Sequence, residues 1–184
     1  MSLTSDPTDI LKIHQEKLKV IKCALFDVDG ILTNGLVYYS GKEMGWNRFF
    51  NIYDGYGIKL LMQNNIHVGI LSGGDSEGLK KRFIENLKIP SSMCYLGDEN
   101  KRIAYQKIKK DLLLNDEQIM YMGDELFDIP ILDQVGFSAT VPNASFLVQK
   151  RCDYITQKKS GKGAAREVMD LILLSQNLID VDGV

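Results

Sequence analysis

The chain has 184 residues, 45% of them hydrophobic and 25% charged, which is enough for one compact domain with a real core and short for two. Its net charge of −2 gives no electrostatic reason to expect nucleic-acid binding, and no apolar run approaches the roughly 18 residues that a membrane span requires. The polar residues 1–8 lack the apolar stretch of a secretory signal, and three widely spaced cysteines are typical of free thiols in a reducing cytoplasm rather than of a disulfide framework or a zinc site.

Apolar runs and amphipathic stretches alternate along the whole chain. The first helix is predicted at 9–19, and the run IKCALF at 21–26 predicts a buried strand that ends in a loop. Two apolar segments around a glycine-containing turn then predict a β-hairpin. Its strands are predicted at 36–39 and 47–51, and further helices at 57–63, 77–87, 101–114 and 164–174 and around Pro130; the remaining strands or short apolar segments are at 67–71, 94–96, 118–122, 136–140 and 154–155. Asp75 or Ser76 is expected to cap the helix at 77–87.

Strands separated by helices indicate an α/β fold, a Rossmann-like parallel sheet in three layers with helices on both faces. We expect an N-terminal extension with its helix at 1–19, one catalytic domain at 20–176, and a C-terminal tail at 177–184 whose last five residues fray. Ligands in such folds bind beyond the carboxyl ends of the strands.

Polar residues follow four of the predicted strands and are expected to meet there. Asp27 and Asp29 stand at positions i and i+2 of an extended segment, so both carboxylates are expected to point into one pocket. Asp124 arrives from another strand end, and such close like charges require a cation or a proton. Carboxylates, a carbonyl and water suit Mg²⁺, whereas the absence of histidine and cysteine from these segments disfavours zinc.

The same segments contain the groups that phosphoryl transfer needs. Asp27 is a candidate nucleophile that would form an aspartyl-phosphate, and Asp29 a candidate acid/base whose proton is favoured by anionic neighbours. Ser72 and the backbone N–H groups near Gly73 would hold phosphate oxygens. Lys101 would add a positive charge, held in place by Asp128; alone, it would be read as a solvated lysine at a helix start.

The motifs LFDVDGILTNG, LSGGDS, GDENK and GDELFD resemble, in order and separation, the four motifs of the haloacid dehalogenase (HAD) phosphohydrolase superfamily. The segment FFNIYDGYGIKLL after the hairpin, and SGKGAAREVMDLIL near the end, resemble those of the 3-deoxy-D-manno-octulosonate 8-phosphate (KDO 8-phosphate) phosphatases and the similar nonulosonate 9-phosphate phosphatases. The resemblance covers about residues 20–176 and implies a HAD fold of the capless type with a β-hairpin flap.

That resemblance implies a Mg²⁺-dependent hydrolysis of KDO 8-phosphate during synthesis of lipopolysaccharide precursors in the cytoplasm. It implies that Asp27 is the nucleophile and a metal ligand, that Asp29 binds the metal through its backbone carbonyl, and that Asp124 is the third protein ligand. Ser72 and Lys101 are implied to bind phosphate, with Asp128 as a supporting residue.

Three positions depart from the family pattern. Gly74 stands where the family usually has arginine, which leaves open the alternative that the substrate is a nonulosonate (sialic-acid-like) 9-phosphate. Arg82, on the following helix, either takes over a contact to the substrate or is a solvated helix residue. Glu125 replaces a common aspartate and is expected to reach the metal only through water, and Ser160 replaces a glycine.

No cap domain fits between the motifs, because 43 residues separate Asp29 from Ser72, 29 separate Ser72 from Lys101, and both intervals already contain predicted elements. We therefore expect other subunits to cover the site. Aromatic residues of the hairpin are candidate interface anchors, although they could pack on their own domain instead. The resemblance implies a homotetramer in which hairpins form a central barrel and tails reach neighbouring sites, where Arg166 and Lys162 would meet the acidic sugar.

Two other function classes remain to be compared. A signalling receiver domain also uses an acidic cluster, magnesium and a lysine, but Asp29 promotes hydrolysis and Asp27 follows the first strand, which disfavours that class. A catalytically idle subunit, for example one bound to a sugar cytidylyltransferase, is disfavoured because every expected catalytic position holds a competent side chain.

Overall fold

The computed structural model describes residues 7–179. Most of the polar residues 1–8 lie outside this range, and residues 180–184, where fraying is expected, lie wholly outside it. Within them, no helix has the length and apolar character to cross a bilayer.

Six parallel strands form the central sheet in the order β5-β4-β1-β6-β7-β8, which confirms the predicted α/β class. Every residue of β1 and β6 is buried, and since successive side chains of a strand point to opposite faces, both faces of the sheet are covered. The strands are β1 (Cys23–Phe26), β4 (His67–Ser72), β5 (Cys94–Leu96), β6 (Ile119–Met122), β7 (Phe137–Thr140) and β8 (Tyr154–Ile155), with β2 (Tyr38–Tyr39) and β3 (Trp46–Asn47) as a separate antiparallel pair.

Seven helices surround the sheet in the described residues. The last packs on both the first and the second, and the fourth and fifth pack together against strands of the sheet. They are α1 (Pro7–Leu18), α2 (Ile52–Gln63), α3 (Glu77–Lys80), α4 (Lys101–Asp111), α5 (Ile129–Leu132), α6 (Phe146–Gln149) and α7 (Ala164–Ser175).

Helix boundaries differ from the predicted ones where caps or unusual dihedrals decide them. Helix α2 begins at Ile52 rather than at residue 57, because the side chain of Asn51 accepts the N–H of Tyr53 at 2.8 Å. Ser76, one of the two expected caps, accepts the N–H of Leu79 and starts α3, which continues into a wider turn at Lys81–Asn86. Helix α4 ends at Asp111, shortly before Leu113 with its φ of +55°.

The hairpin is present, but its paired strands are only two residues long. The rings of Tyr38 and Phe49 stack at 5.0 Å, and those of Tyr39 and Trp46 meet at 5.4 Å, yet all four side chains remain largely exposed. Phe50 alone of the hairpin aromatics turns inward, where it packs edge-on against Phe83. The alternative that the aromatic residues pack on their own domain therefore holds for Phe50 only.

All three cysteines are free, as expected. Cys23 lies in the core and the other two are partly buried, and burial raises the pKa of the Cys23 thiol to about 12. These thiols are packing groups.

Candidate active site

The parallel register brings three polar strand ends to one edge of the sheet. Phe26 at the end of β1 pairs with Ile70 of β4 on one side and with Met122 of β6 on the other. Asp27 therefore directly follows the central strand β1. It lies between Ser72 at the end of β4 and Asp124 shortly after β6. The predicted meeting of these segments is present.

A cluster of three carboxylates lies at this edge. Asp27, Asp124 and Asp128 each offer an oxygen, and the three oxygens are within 4.8 Å of one another. Burial, followed by repulsion from Asp27 and Asp128, raises the pKa of Asp124 to about 8. Burial also raises the pKa of Asp27, against the opposing attraction of Lys101.

The donor set of this cluster fits a divalent cation. Oδ1 of Asp124 is buried without a hydrogen-bond partner, and repelling carboxylates in a desolvated place require a compensating charge. Hard oxygen ligands are those that Mg²⁺ prefers.

Lys101 is the buried cation of the cluster, so the reading of it as a solvated lysine is wrong. Its Nζ lies 2.9 Å from Oδ1 of Asp27 and 2.7 Å from Oδ1 of Asp128, and only 1% of its side chain is exposed. The Nζ also lies over the ring of Phe127, 4.6 Å from its centroid. The first residue of α4 thus holds two of the three carboxylates.

Asp128 holds both the lysine and the loop of the fourth motif, so the expected pairing with Lys101 is present. Its Oδ1 also accepts the hydroxyl of Tyr121 at 2.5 Å, and its Oδ2 accepts the N–H groups of Asp124 and Glu125, each at 3.1 Å. The Glu125 side chain is exposed, and its expected contact to the metal through water stays a prediction.

Gly30 lets the first and fourth motifs approach each other. Its φ is +89°, and a Cβ at this position would stand 1.9 Å from Oδ2 of Asp124. Only glycine combines this dihedral with this closeness. The residue after the two motif-one aspartates therefore makes room for the third carboxylate.

Asp29 does not join the three-carboxylate cluster through its side chain. Its carboxylate is held by Arg48, with Nε at 2.5 Å from Oδ1 and Nη2 at 2.7 Å from Oδ2, while the hydroxyl of Thr33 donates to Oδ1 at 3.3 Å. The expectation that anionic neighbours surround Asp29 is wrong, because its nearest charged partner is a guanidinium. Sequence reasoning passed over Arg48 because the hairpin was assessed only for its aromatic surface.

The second motif forms a tight loop after β4. Ser72 is buried, and its Oγ accepts the N–H of Gly74 at 3.1 Å. A Cβ on Gly73 would lie 2.9 Å from Cγ of Glu99, which shows how closely the loops pack. The hydroxyl and loop backbone predicted to hold phosphate thus lie at the strand edge that Asp27 occupies.

The two remaining predicted binding residues make their contacts elsewhere in the subunit. Arg82 lies over the ring of Phe50 and donates to the side chain of Asn86. Arg166 pairs with Asp170 at 2.6 Å and lies over the ring of Tyr56. Their binding of substrate stays a prediction.

Asp54 is a buried acid that sequence reasoning did not single out. Its Oδ1 accepts the N–H of Arg166 at 2.8 Å and so caps the start of α7, whereas its Oδ2 is buried without a partner. Burial raises the pKa of Asp54 to about 6, against this hydrogen bond. Asn51 adds a bond to the carbonyl of Gly161 at 3.2 Å, which ties α2 to the segment before α7.

Comparisons with known proteins agree with this geometry. Residues 95–168 match the family model of the haloacid dehalogenase-like hydrolases. The chain is 37% identical over 168 residues to the 3-deoxy-D-manno-octulosonate 8-phosphate phosphatase of Salmonella typhi, which covers 89% of this chain and 85% of that protein.

Solved structures of related proteins are also similar to this chain. A putative HAD superfamily (subfamily III A) hydrolase from Legionella pneumophila has a TM-score of 0.85 and 40% identity, covering 92% of each chain. The 3-deoxy-D-manno-octulosonate 8-phosphate phosphatase of Moraxella catarrhalis, solved with magnesium, phosphate and KDO, has a TM-score of 0.84 and 35% identity, covering 90% of this chain and 93% of that one.

Proposed function

Since this chain belongs to the family of the 3-deoxy-D-manno-octulosonate 8-phosphate phosphatases, within the haloacid dehalogenase-like hydrolases, we propose that it hydrolyses KDO 8-phosphate to KDO and phosphate. The observation that carries the proposal is the buried pairing of Asp27 with Lys101 beside Asp124, in a chain related over most of its length to enzymes of that name. The nonulosonate 9-phosphate alternative has no such support among these relatives.

The cofactor is Mg²⁺, which the related Moraxella catarrhalis enzyme binds together with phosphate and KDO. We assign it to the carboxylates of Asp27 and Asp124 and to the backbone carbonyl of Asp29, with the orphaned Oδ1 of Asp124 as the group that most needs a cation. When bound, the metal neutralises charge on the phosphoryl oxygens.

The protein side chains divide the reaction into two displacements. A carboxylate oxygen of Asp27 attacks phosphorus, the bond to the sugar oxygen breaks, and Asp29 gives a proton to that oxygen. For this step the carboxyl group of Asp29 is protonated and released from its ion pair with Arg48, which favours the carboxylate. Asp29, now a carboxylate, takes a proton from water, whose oxygen attacks phosphorus and releases inorganic phosphate and Asp27. Lys101, Ser72 and the loop N–H at Gly73 hold the phosphoryl oxygens in this assignment.

Lys101 keeps the nucleophile usable in its buried place. Burial alone would favour the protonated, non-nucleophilic form of Asp27, and the ammonium group 2.9 Å away favours the carboxylate. Asp128 in turn fixes the ammonium group, which makes Asp128 a supporting residue rather than a metal ligand in our assignment.

A homotetramer is the form in which we propose that this site is covered. Support comes from the hairpin, whose aromatic side chains are exposed in the single subunit beside the site, with Trp46 at 56% and Phe49 at 65%. Arg166 and Lys162 are proposed to meet the sugar acid of a neighbouring site through the C-terminal segment. The setting we propose is cytoplasmic synthesis of lipopolysaccharide precursors.

A phosphate-release screen tests the activity. KDO 8-phosphate and N-acetylneuraminate 9-phosphate are compared with excess Mg²⁺ and with a chelator, using the wild type and Asp27→Asn. We expect Mg²⁺-dependent release that is fastest with KDO 8-phosphate and absent in the variant. Faster release from the 9-phosphate would overturn the substrate, and full activity of a monomer in light scattering would overturn the tetramer.

A further inference from the structure

Tyr121 is a fully buried tyrosine of β6 whose hydroxyl reaches the acidic cluster. The hydroxyl donates to Oδ1 of Asp128 at 2.5 Å, and it accepts an N–H of the Lys101 ammonium group at 3.3 Å. One oxygen atom therefore contacts both members of a buried ion pair. The reaction steps assigned above do not use this hydroxyl.

The hydroxyl completes the surroundings of the ammonium group. A lysine ammonium has three N–H donors, and three acceptors lie around Nζ of Lys101. They are Oδ1 of Asp27 at 2.9 Å, Oδ1 of Asp128 at 2.7 Å and the oxygen of Tyr121. Because each N–H has an acceptor, the ammonium group is held in one orientation.

The Asp128 carboxylate is held just as completely. Its Oδ1 accepts from Lys101 and Tyr121, and its Oδ2 accepts two backbone N–H groups of the fourth-motif loop. These four bonds, two on each oxygen, match the acceptor capacity of a carboxylate. Loss of the Tyr121 hydroxyl would loosen Oδ1 of Asp128 and, with it, the ammonium group that pairs with Asp27.

The hydroxyl belongs to the central part of the sheet, whereas its two partners do not. Tyr121 pairs with Leu25 of β1 on one side and with Ser138 of β7 on the other. Asp128 ends a short turn, and Lys101 is the first residue of α4. The Tyr121 side chain thus ties a loop and a helix start to the sheet at the point where they hold the nucleophile.

We propose that Tyr121 is a positioning residue for Lys101 and, through the pair of Lys101 with Asp128, keeps the ammonium group at the nucleophile Asp27. The proposal rests on the function assigned above, in which Lys101 keeps Asp27 usable and holds the phosphoryl oxygens. It adds a group that touches neither phosphate nor metal but fixes one that touches phosphate. A charge stabilises a transition state only from the correct place, so this restraint bears on the rate.

A second set of tyrosine, aspartate and lysine provides a matched control. Tyr105 of α4 is also fully buried, its hydroxyl donates to Oδ1 of Asp116, and Lys109 pairs with the same oxygen at 2.7 Å. Asp116 precedes β6, at the opposite end of that strand from the fourth motif, and this set is assigned no part in the reaction. Tyr105→Phe therefore removes the same hydroxyl from a similar network away from the site.

Steady-state kinetics with excess Mg²⁺ compare the two tyrosines. We expect Tyr121→Phe to lower kcat for KDO 8-phosphate about 10-fold and to change KM less than about 3-fold, because the ammonium group is displaced but not removed. Tyr105→Phe should keep at least about half of the wild-type kcat. Circular dichroism and urea unfolding confirm that both variants are folded under the assay conditions.

A double-mutant cycle tests the route of the effect. Asp128→Asn also weakens the hold on the ammonium group, so its combination with Tyr121→Phe should lower kcat by less than the product of the two single losses. A combined loss equal to that product would show that Tyr121 does not act through Asp128 and would overturn the proposal.

An unchanged kcat in Tyr121→Phe, a loss confined to KM, or an equal loss of kcat in Tyr105→Phe would overturn it as well. Failure of the assigned function is a different result, since the wild type then releases no phosphate from KDO 8-phosphate. If the wild type still hydrolyses 4-nitrophenyl phosphate, the same kcat comparison is made on that substrate. If it hydrolyses neither, the proposal falls together with the function.

Discussion

The acidic cluster and the hairpin differ in what holds them in place. Asp27, Lys101 and Asp128 are almost completely buried, and each is fixed by groups on neighbouring strand ends and helices. The hairpin rests on two-residue strands, ring contacts and the ion pair of Arg48 with Asp29, and its aromatic side chains other than Phe50 are exposed.

The buried cluster and the exposed hairpin therefore contribute different groups to the proposed active site. The groups that meet phosphorus in this assignment lie in a buried part of the subunit, where burial raises the pKa of Asp27. Arg48, which pairs with Asp29, lies on the exposed hairpin, where other subunits are proposed to bind. Substitutions in the buried cluster should therefore reduce catalysis or the stability of the subunit, whereas substitutions of the exposed hairpin rings should reduce assembly.

Removing the nucleophile should give the largest effect on activity. Asp27→Asn keeps the shape of the side chain but cannot form the aspartyl-phosphate, so we expect kcat to fall by more than about 10⁴-fold, as when other enzymes lose their nucleophile. Phosphate release with and without Mg²⁺, together with circular dichroism, checks this. A folded variant that keeps a tenth of the wild-type rate would exclude Asp27 as the nucleophile.

Removing the buried cation should give the largest effect on stability. Lys101→Met leaves Asp27 and Asp128 without their ammonium partner, and breaking a buried pair on one side costs about 3–5 kcal/mol. Urea unfolding with a chelator present measures the loss. The control is Lys107→Met, which removes an exposed pair with Asp111 and should leave the free energy of unfolding nearly unchanged.

The stability of the metal-free protein should fall as pH rises from about 4 to 8. The folded pKa of Asp124 is about 8, far above the ordinary value near 3.9, so in this window the folded state binds more protons than the unfolded state. Each such group lowers the free energy of unfolding by an amount on the order of 1 kcal/mol per pH unit.

Mg²⁺ should flatten this pH dependence, because a cation then takes the place of the protons, and Asp124→Asn should make it shallower without metal. Unfolding curves at pH 5, 6, 7 and 8 measure both effects. Stability that rises with pH in the chelated protein would contradict the arrangement of the cluster.

Changes in the exposed hairpin should affect the fold of the subunit least. Tyr39→Thr combined with Trp46→Thr removes exposed rings, so we expect less than about 0.5 kcal/mol of change per substitution in the unfolding of the isolated subunit. The mass in light scattering should fall instead, and activity with it. Ile13→Thr, an exposed apolar change on α1, is the control and should leave the mass unaltered.

The sequence predicted the sheet and the cluster well, because both follow from local patterns. Apolar runs locate the strands, and the polar residues directly after β1, β4 and β6 must meet once those strands are parallel. The meeting of Asp27 with Ser72 and Asp124 could therefore be predicted from position alone, before any side chain was placed.

The missed features depend on how distant segments fold back. Arg48 contacts Asp29 only because the hairpin returns over the first motif, and no pattern within the hairpin encodes that path. Asp54 caps a helix that begins 110 residues later in the chain. The start of α2 was placed too late because Gly55 and Gly57 weaken the local helical preference, while the cap by Asn51 decides the true start.

The cap that Asp54 provides has a consequence for the order in which the molecule is completed. Helix α7 packs on both α1 and α2, and eight of its twelve residues are buried. A ribosome makes it after every other described element, so until it emerges, α1 and α2 keep apolar surface in water and the Asp54 carboxylate lacks its donor. We expect proteases to cleave the earlier elements readily until this helix docks. Docking of α7 is therefore the step that completes the stable fold of the nascent chain.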